Sequence, residues 1–103
     1  TRDICYSARQ LNTDEAYARR LVDQVVPEEE LESTVTAYAD RVASNAPLTI
    51  AAMKFITGQL LKDPDARDLA KCDAMVQACF ESNDYIEGRR AFMEKRKPAF
   101  TGT

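Results

Sequence analysis

Four prolines, at positions 27, 47, 64 and 98, limit every long helix that this 103-residue chain can form. Proline lacks a backbone N–H and suits only the first turn of a helix, so each one begins or ends a helical segment. Between them, apolar residues recur at three- and four-residue spacing over residues 28–45, 47–61 and 66–81. This spacing predicts a mainly α chain of four or five amphipathic helices, with short connections that make neighbouring helices pack together.

Residues 82–102, which read SNDYIEGRRAFMEKRKPAFTG, combine a helix start, a helix body and a helix stop. Asp84 is predicted to cap this helix, and Glu87 completes a pattern similar to a capping box. Pro98 ends it. Basic residues gather toward that end: Arg89, Arg90, Lys95, Arg96 and Lys97. They have two interpretations, an ordinary cationic helix C-terminus or a phosphate-binding helix with the aromatic Phe92 beside it.

The N-terminal end is predicted to contain one or two short extended segments. Residues 4–8 alternate in polarity, which is typical of a brief strand. Residues 12–15 are a helix-start signal with Thr13 as the predicted cap, and a short helix should follow over residues 14–20. Residues 21–26 are β-prone and bounded by a proline, which predicts a second short strand or extended segment.

Composition argues against several kinds of site and partner. The net charge is −3, which does not favour nucleic acid. The chain has no histidine, and its three cysteines form no C-x-x-C pair, so neither a metal site nor a disulfide framework is expected. No apolar run approaches the ~20 residues needed to span a bilayer. With no signal-peptide pattern at the N-terminus, we expect a cytoplasmic protein.

Each predicted helix carries a single apolar stripe, and the chain is short. A small domain buries a smaller fraction of its surface than a large one. We therefore expect much of the apolar surface to need cover from a partner chain or a further domain.

The order of residues in the last helix resembles the C-terminal signature of the enoyl-CoA hydratase (crotonase) family. The residues that carry this resemblance are Ser82, Asp84, Glu87, Gly88, Ala91, Phe92, Glu94, Lys95, Arg96, Pro98, Phe100 and Gly102. Residues 7–16 and 21–27 also resemble the family, as does the Ala46-Pro47 pair with Lys54. One departure is Arg20, because the family usually has glycine there and arginine is a poor left-handed helix end.

The resemblance implies a place in the ClpP/crotonase-like fold. Residues 1–27 would be the tail of the spiral-domain region, with a short strand, a helix and a strand. Residues 28–103 would be the C-terminal helical region that mediates trimerisation and closes over CoA. The implied partners are further copies, in a trimer or a dimer of trimers, or an N-terminal spiral domain that this chain lacks.

The resemblance also implies an acyl-CoA-processing enzyme, with syn hydration of a 2-enoyl-CoA as the leading reaction. Isomerase, hydrolase, dehalogenase and decarboxylase members share this tail and remain alternatives. Carried over by position, Phe92 and Lys95 would meet the adenine and phosphates of CoA, and Arg96 and Lys97 could add to the field. Lys54 is a further CoA-binding candidate, with a solvated surface lysine as its other interpretation.

No catalytic residue is assigned to this chain, because the family's oxyanion-binding N–H groups and acidic residues lie in a region that it does not match. No cofactor is expected, since the CoA thioester is the substrate. A different class of function also stays open: a non-catalytic helical module or truncated remnant that self-associates. A small nucleic-acid binder using the C-terminal cations is a third hypothesis, which the net charge disfavours.

Overall fold

The computed structural model describes residues 2–103, and these form six α-helices joined by short loops. The helices are α1 (Arg2–Ser7), α2 (Thr13–Ala18), α3 (Leu31–Ala43), α4 (Pro47–Gln59), α5 (Leu69–Glu81) and α6 (Asn83–Glu94). Short 3-10 turns, Glu28–Glu30 and Pro64–Ala66, precede α3 and α5. The prediction of a mainly α chain is confirmed.

The N-terminal strand prediction is wrong, because residues 4–7 belong to α1. The Ala8 N–H donates to the Ile4 carbonyl at 3.0 Å, and the Ser7 hydroxyl donates to the Asp3 carbonyl at 2.7 Å. The second predicted strand, residues 21–26, is an irregular segment, and residues 2–103 contain no strand at all. A strand needs a neighbour for its backbone groups, whereas a helix satisfies most of its own.

The chain divides into two compact units, Thr1–Ala37 and Tyr38–Thr103, and the division falls within α3. In the second unit, α4 packs against α5, and α5 packs against α6. Pro47 begins α4 as its position predicts. Asp68 caps α5 by accepting a 2.9 Å hydrogen bond from the Lys71 N–H.

The caps of α2 and α6 lie one and two residues before the predicted ones. Asn12, not Thr13, caps α2, and it forms a capping box with Glu15. Ser82, not Asp84, caps α6 by accepting a 3.1 Å hydrogen bond from the Tyr85 N–H. Because serine and asparagine are good caps, each helix starts at the first suitable residue.

Helix α2 ends at a left-handed residue, as the family pattern implies. Arg20 has φ +56°. Its N–H donates to the Tyr17 carbonyl, and the Leu21 N–H donates to the Ala16 carbonyl, both at 2.9 Å. These two bonds form a Schellman motif, in which glycine is usual. Arginine pays the steric cost of a left-handed conformation here, about 1–2 kcal/mol.

The described residues bury very little apolar side chain. Their buried hydrophobic residues are Ala52, Cys72 and Ala91, all small, and no large side chain is fully buried. Exposed apolar side chains run along several helices, including Leu31, Val35 and Tyr38 on α3. That this surface is covered by a partner stays a prediction. No helix in the described part of the chain has the length and apolarity needed to cross a membrane.

Candidate functional site

An apolar groove of about 540 Å³ lies in the second unit, between α4, α5 and α6. Its lining is mostly aliphatic and aromatic, and it includes Ala52, Met53, Ile56, Val76, Cys79, Phe80, Tyr85, Gly88, Arg89, Phe92 and Phe100. The helical spacing predicted for these segments brings their apolar stripes together here. A groove of this size and character suits the apolar or aromatic part of a ligand or a partner.

Aromatic rings shape the groove. Phe80 and Tyr85 meet edge to face, with ring centroids 5.3 Å apart and planes at 73°. Phe100, from the segment after α6, lies against Gly88, where a Cβ would be 3.5 Å from the ring. Phe92 is 81% exposed and lines the same groove. It is therefore available for stacking.

Lys95, the predicted phosphate-binding cation, ends α6 in a left-handed conformation with φ +53°. Its N–H donates to the Phe92 carbonyl at 3.2 Å, and the Arg96 N–H donates to the Ala91 carbonyl at 3.0 Å. This is the second Schellman motif of the chain. Lys95 is exposed and takes part in no ion pair among residues 2–103. The structure thus brings Phe92 and Lys95 to the same end of α6.

Arg96, in contrast, is occupied by carboxylates. Its two terminal nitrogens donate to the Glu87 carboxylate at 2.5 and 2.9 Å, and its Nε donates to Glu94 at 2.6 Å. These bonds raise the pKa of the Arg96 guanidinium. The Arg96 hydrogen bonds, followed by one from the Ala99 N–H, lower the pKa of Glu87 to about 2. Two carboxylates thus offset the charge of Arg96, and a contribution of Arg96 to a phosphate-attracting field stays a prediction.

The segment after α6 turns back and is held by the side chains of that helix. Asp84, only 3% exposed, accepts hydrogen bonds from the N–H groups of Thr101 at 2.7 Å and Gly102 at 2.9 Å. Glu87 accepts a 2.9 Å bond from the Ala99 N–H. The capping roles predicted for Asp84 and Glu87 are therefore wrong. We refer to residues 97–103 as the return segment.

Lys54 lies elsewhere in the second unit. It lines a separate cleft of about 510 Å³, together with Lys62 and Lys71. The Lys71 ammonium lies 4.7 Å from the centroid of the Phe55 ring, a cation–π contact. The structure therefore groups Lys54 with two other lysines and not with Phe92.

Arg89 lines the groove together with Phe92. The sequence placed it only among the basic residues of α6, not among the CoA-binding candidates. Its guanidinium carbon lies 5.8 Å from the centroid of the Tyr85 ring. Helical spacing was the available signal, because residues 85, 89 and 92 share one face of α6.

Comparison with known proteins identifies the family. The family model described as enoyl-CoA hydratase/isomerase matches residues 1–103. This chain belongs to the enoyl-CoA hydratase/isomerase family. The resemblance carried by residues 82–102 is thereby confirmed.

Individual relatives of this family member are similar over almost the whole chain. Methylmalonyl-CoA decarboxylase from Escherichia coli K12 is 32% identical over 98% of this chain and 40% of its own length. Crotonyl-CoA hydratase from Syntrophomonas wolfei is 35% identical over 96% of this chain and 38% of its own length. The chain thus spans about two fifths of these relatives.

Solved structures of enoyl-CoA hydratases are also similar to this chain. Enoyl-CoA hydratase EchA1 from Mycobacterium marinum superposes with a TM-score of 0.84 at 31% identity, over 98% of this chain and 40% of that one. An enoyl-CoA hydratase/carnithine racemase from Magnetospirillum magneticum superposes with a TM-score of 0.82 at 34% identity, over 98% of this chain and 37% of that one. The mainly helical fold of this chain is therefore shared with part of these enoyl-CoA hydratase structures.

Proposed function

We propose that this chain supplies the C-terminal helical part of an acyl-CoA-processing enzyme, and that the end of α6 binds CoA. One observation carries the CoA contact: the exposed residues Phe92 and Lys95 are three positions apart at the C-terminal end of α6, and Lys95 forms no ion pair among residues 2–103. An aromatic face suits adenine, and an ammonium suits phosphate as a point charge. Family membership and the CoA thioesters in the names of the relatives support the substrate class.

The leading reaction is syn hydration of a 2-enoyl-CoA, in the cytoplasm. Relatives named as hydratases support it. A relative named as a decarboxylase and one named as an isomerase/hydratase keep the other reactions of the family as alternatives. No residue of this chain is assigned to the chemical step. Its own residues bind the CoA portion, and an upstream spiral domain would supply the oxyanion-binding N–H groups and the acids.

The same proposal includes oligomerisation. The groove and the apolar face of α3 expose several large side chains, including Val35, Tyr38 and Phe80. Burying such side chains stabilises each by about 1.5–3 kcal/mol, so cover by a spiral domain or by further copies is strongly favoured. A trimer or a dimer of trimers would provide it.

The test begins by incubating the 103-residue chain with crotonyl-CoA. Loss of the absorbance of the conjugated enoyl thioester measures turnover. We expect no turnover by the chain alone and turnover after the upstream region is added. In the assembled enzyme, Lys95→Ala should raise the Michaelis constant for acyl-CoA more than it lowers turnover, because the contact is remote from the reacting carbon. Arg41→Ala on α3 is the control of equal charge, because the Arg41 side chain is exposed and forms no ion pair among residues 2–103. Turnover by the chain alone, or equal kinetics for both variants, contradicts the proposal.

The second candidate is a self-associating helical module without chemistry, and the exposed apolar groove favours it. Analytical ultracentrifugation separates the two ideas. A stable oligomer of the chain that neither binds CoA nor restores turnover with the upstream region supports the module. A chain that restores turnover supports the enzyme part.

A further inference from the structure

We propose that Glu87 is a positioning residue for CoA binding: its carboxylate holds Arg96 and the return segment, and so fixes the turn that presents Lys95. This inference rests on the proposed function, and it gives a role to an acidic signature residue that need not touch CoA. The signature would then contain two sets of residues, those that meet the ligand and those that hold the ligand-binding turn in place.

The geometry starts from the backbone of the turn. Lys95 holds φ +53°, a left-handed conformation that disfavours any side chain with a Cβ. Two main-chain hydrogen bonds close the turn, from Lys95 to Phe92 and from Arg96 to Ala91. Strained backbone of this kind persists only where the surroundings over-determine it.

Glu87 supplies that restraint. It lies two helical turns before Lys95 on α6, and its side chain is only 19% exposed. One carboxylate oxygen accepts from the Arg96 side chain and from the Ala99 N–H, and the other accepts from a second Arg96 nitrogen. The residue after Lys95 and the start of the return segment are therefore both tied to the helix. With both flanks fixed, the direction in which the Lys95 side chain leaves the turn is also fixed.

Charge alone predicts the opposite effect of removing Glu87. CoA is an anion, so loss of a nearby carboxylate should strengthen its binding. A positioning role predicts weaker binding, because Lys95 must then be ordered by the ligand. The sign of the change in CoA affinity therefore distinguishes a purely electrostatic effect of Glu87 from a positioning role.

Glu94 provides a matched control. It lies on the same helix, carries the same charge and contacts the same Arg96 at 2.6 Å, but it accepts no hydrogen bond from the return segment in the described structure. Glu87→Ala and Glu94→Ala therefore remove equal charge and equal side-chain bulk. Only the first releases the Ala99 N–H.

The experiment measures the dissociation constant of CoA by calorimetry in the assembled enzyme, together with amide hydrogen exchange at Ala99. We expect Glu87→Ala to weaken binding about three- to tenfold, the cost of ordering one long side chain on binding. The Ala99 amide should lose protection. Glu94→Ala should leave the affinity unchanged or raise it. In a double-mutant cycle, Glu87→Ala should add little to Lys95→Ala, because both act through the same ammonium.

If Glu87→Ala exposes the Ala99 amide to exchange but binds CoA as tightly as the unchanged enzyme, or more tightly, the positioning role is overturned. If Lys95→Ala still weakens CoA binding in that case, the proposed function stands. If Lys95→Ala binds CoA with unchanged affinity, both the positioning role of Glu87 and the proposed CoA contact are overturned. If Glu87→Ala fails to fold, Arg96→Gln removes the guanidinium contacts with Glu87 and leaves its bond to the Ala99 N–H. Arg41→Gln on α3 removes equal charge and is the control, because the Arg41 side chain is exposed and forms no ion pair among residues 2–103. Equal affinities for that pair overturn the inference, and a larger loss in Arg96→Gln supports it.

Discussion

The buried carboxylate of Asp84 accepts a 2.7 Å hydrogen bond from the backbone N–H of Thr101, seventeen residues further along the chain. Its other oxygen accepts from the N–H of Gly102 at 2.9 Å. The start of α6 therefore holds the return segment, and Phe100, the residue before Thr101, completes the wall of the groove.

Replacing Asp84 by alanine should lower the free energy of unfolding by about 2 kcal/mol, because charge-assisted hydrogen bonds are lost and the donors are left without their buried acceptor. Urea denaturation of the chain measures this change. Asp73→Ala on α5 is the control, since Asp73 is exposed and its side chain accepts no hydrogen bond in the described structure. Equal midpoints for the two variants would contradict the anchoring role of Asp84.

Acid should loosen the return segment. The pKa of Glu87 is about 2 in the folded chain and near 4.5 for an unperturbed glutamate, so the stabilisation is full above about pH 4.5. It is lost progressively as the pH falls toward 2. Hydrogen exchange at Ala99, measured between pH 6 and pH 3 and corrected for intrinsic rates, should show falling protection. In Glu87→Gln this pH dependence should disappear; its persistence would assign the effect to another group.

Two glycines should respond to alanine with opposite signs. Gly58 lies within α4 and no atom would approach an added Cβ within 4 Å, so Gly58→Ala should stabilise the chain by about 1 kcal/mol. Gly102 has φ +79° and an added Cβ would lie 3.4 Å from Pro47, so Gly102→Ala should destabilise it by about 1 kcal/mol. Thermal unfolding measures the midpoint temperature of Gly58→Ala and of Gly102→Ala, and midpoint shifts of the same sign would contradict this account.

Arg20→Gly should stabilise the first unit by about 1 kcal/mol, because glycine adopts the left-handed conformation without steric cost. Arg19→Gly is the control. Arg19 has φ −88°, where glycine offers no steric relief and adds unfolded-state entropy. Arg19→Gly should therefore not raise the free energy of unfolding. Urea denaturation, monitored by a probe placed within residues 2–37, measures the unfolding midpoint of each variant. Equal midpoints would contradict the steric cost assigned to Arg20.

Lys95→Gly should separate stability from binding. It should raise the free energy of unfolding by about 1 kcal/mol through relief of the left-handed conformation. It should also weaken CoA binding about tenfold, the order expected for one charge-assisted hydrogen bond. Lys95→Ala should show the same loss of affinity without the gain in stability. A Lys95→Gly variant that binds CoA normally would remove Lys95 from the site.

The main helices were predictable because their signals are local. Pro47 fixes the start of α4, and Asp68 caps α5 within a single turn. The first residues were not, because a few alternating residues fit a strand or a helix equally well. Without a strand in the described chain to pair with them, residues 2–7 satisfy their hydrogen bonds as α1.

The candidate site follows from the resemblance and not from local pattern, and its contact with CoA stays a prediction. Phe92 and Lys95 were selected, and the structure brings them to one helix end. The roles of Asp84 and Glu87 were not foreseen, because their partners lie nine to eighteen residues further along the chain and local spacing favours a cap. Lys54 lines a cleft separate from the groove that Phe92 lines, and its contact with CoA stays a prediction.

The small size of the buried side chains has a consequence for heat capacity. Exposure of apolar surface on unfolding normally raises the heat capacity by about 12–15 cal/mol/K per residue. Among residues 2–103 the buried apolar residues are Ala52, Cys72 and Ala91, so unfolding should raise the heat capacity by less than this. The missing part should appear instead when the exposed faces are covered, as a negative heat-capacity change of association. For this chain, calorimetry would thus record assembly more strongly than folding.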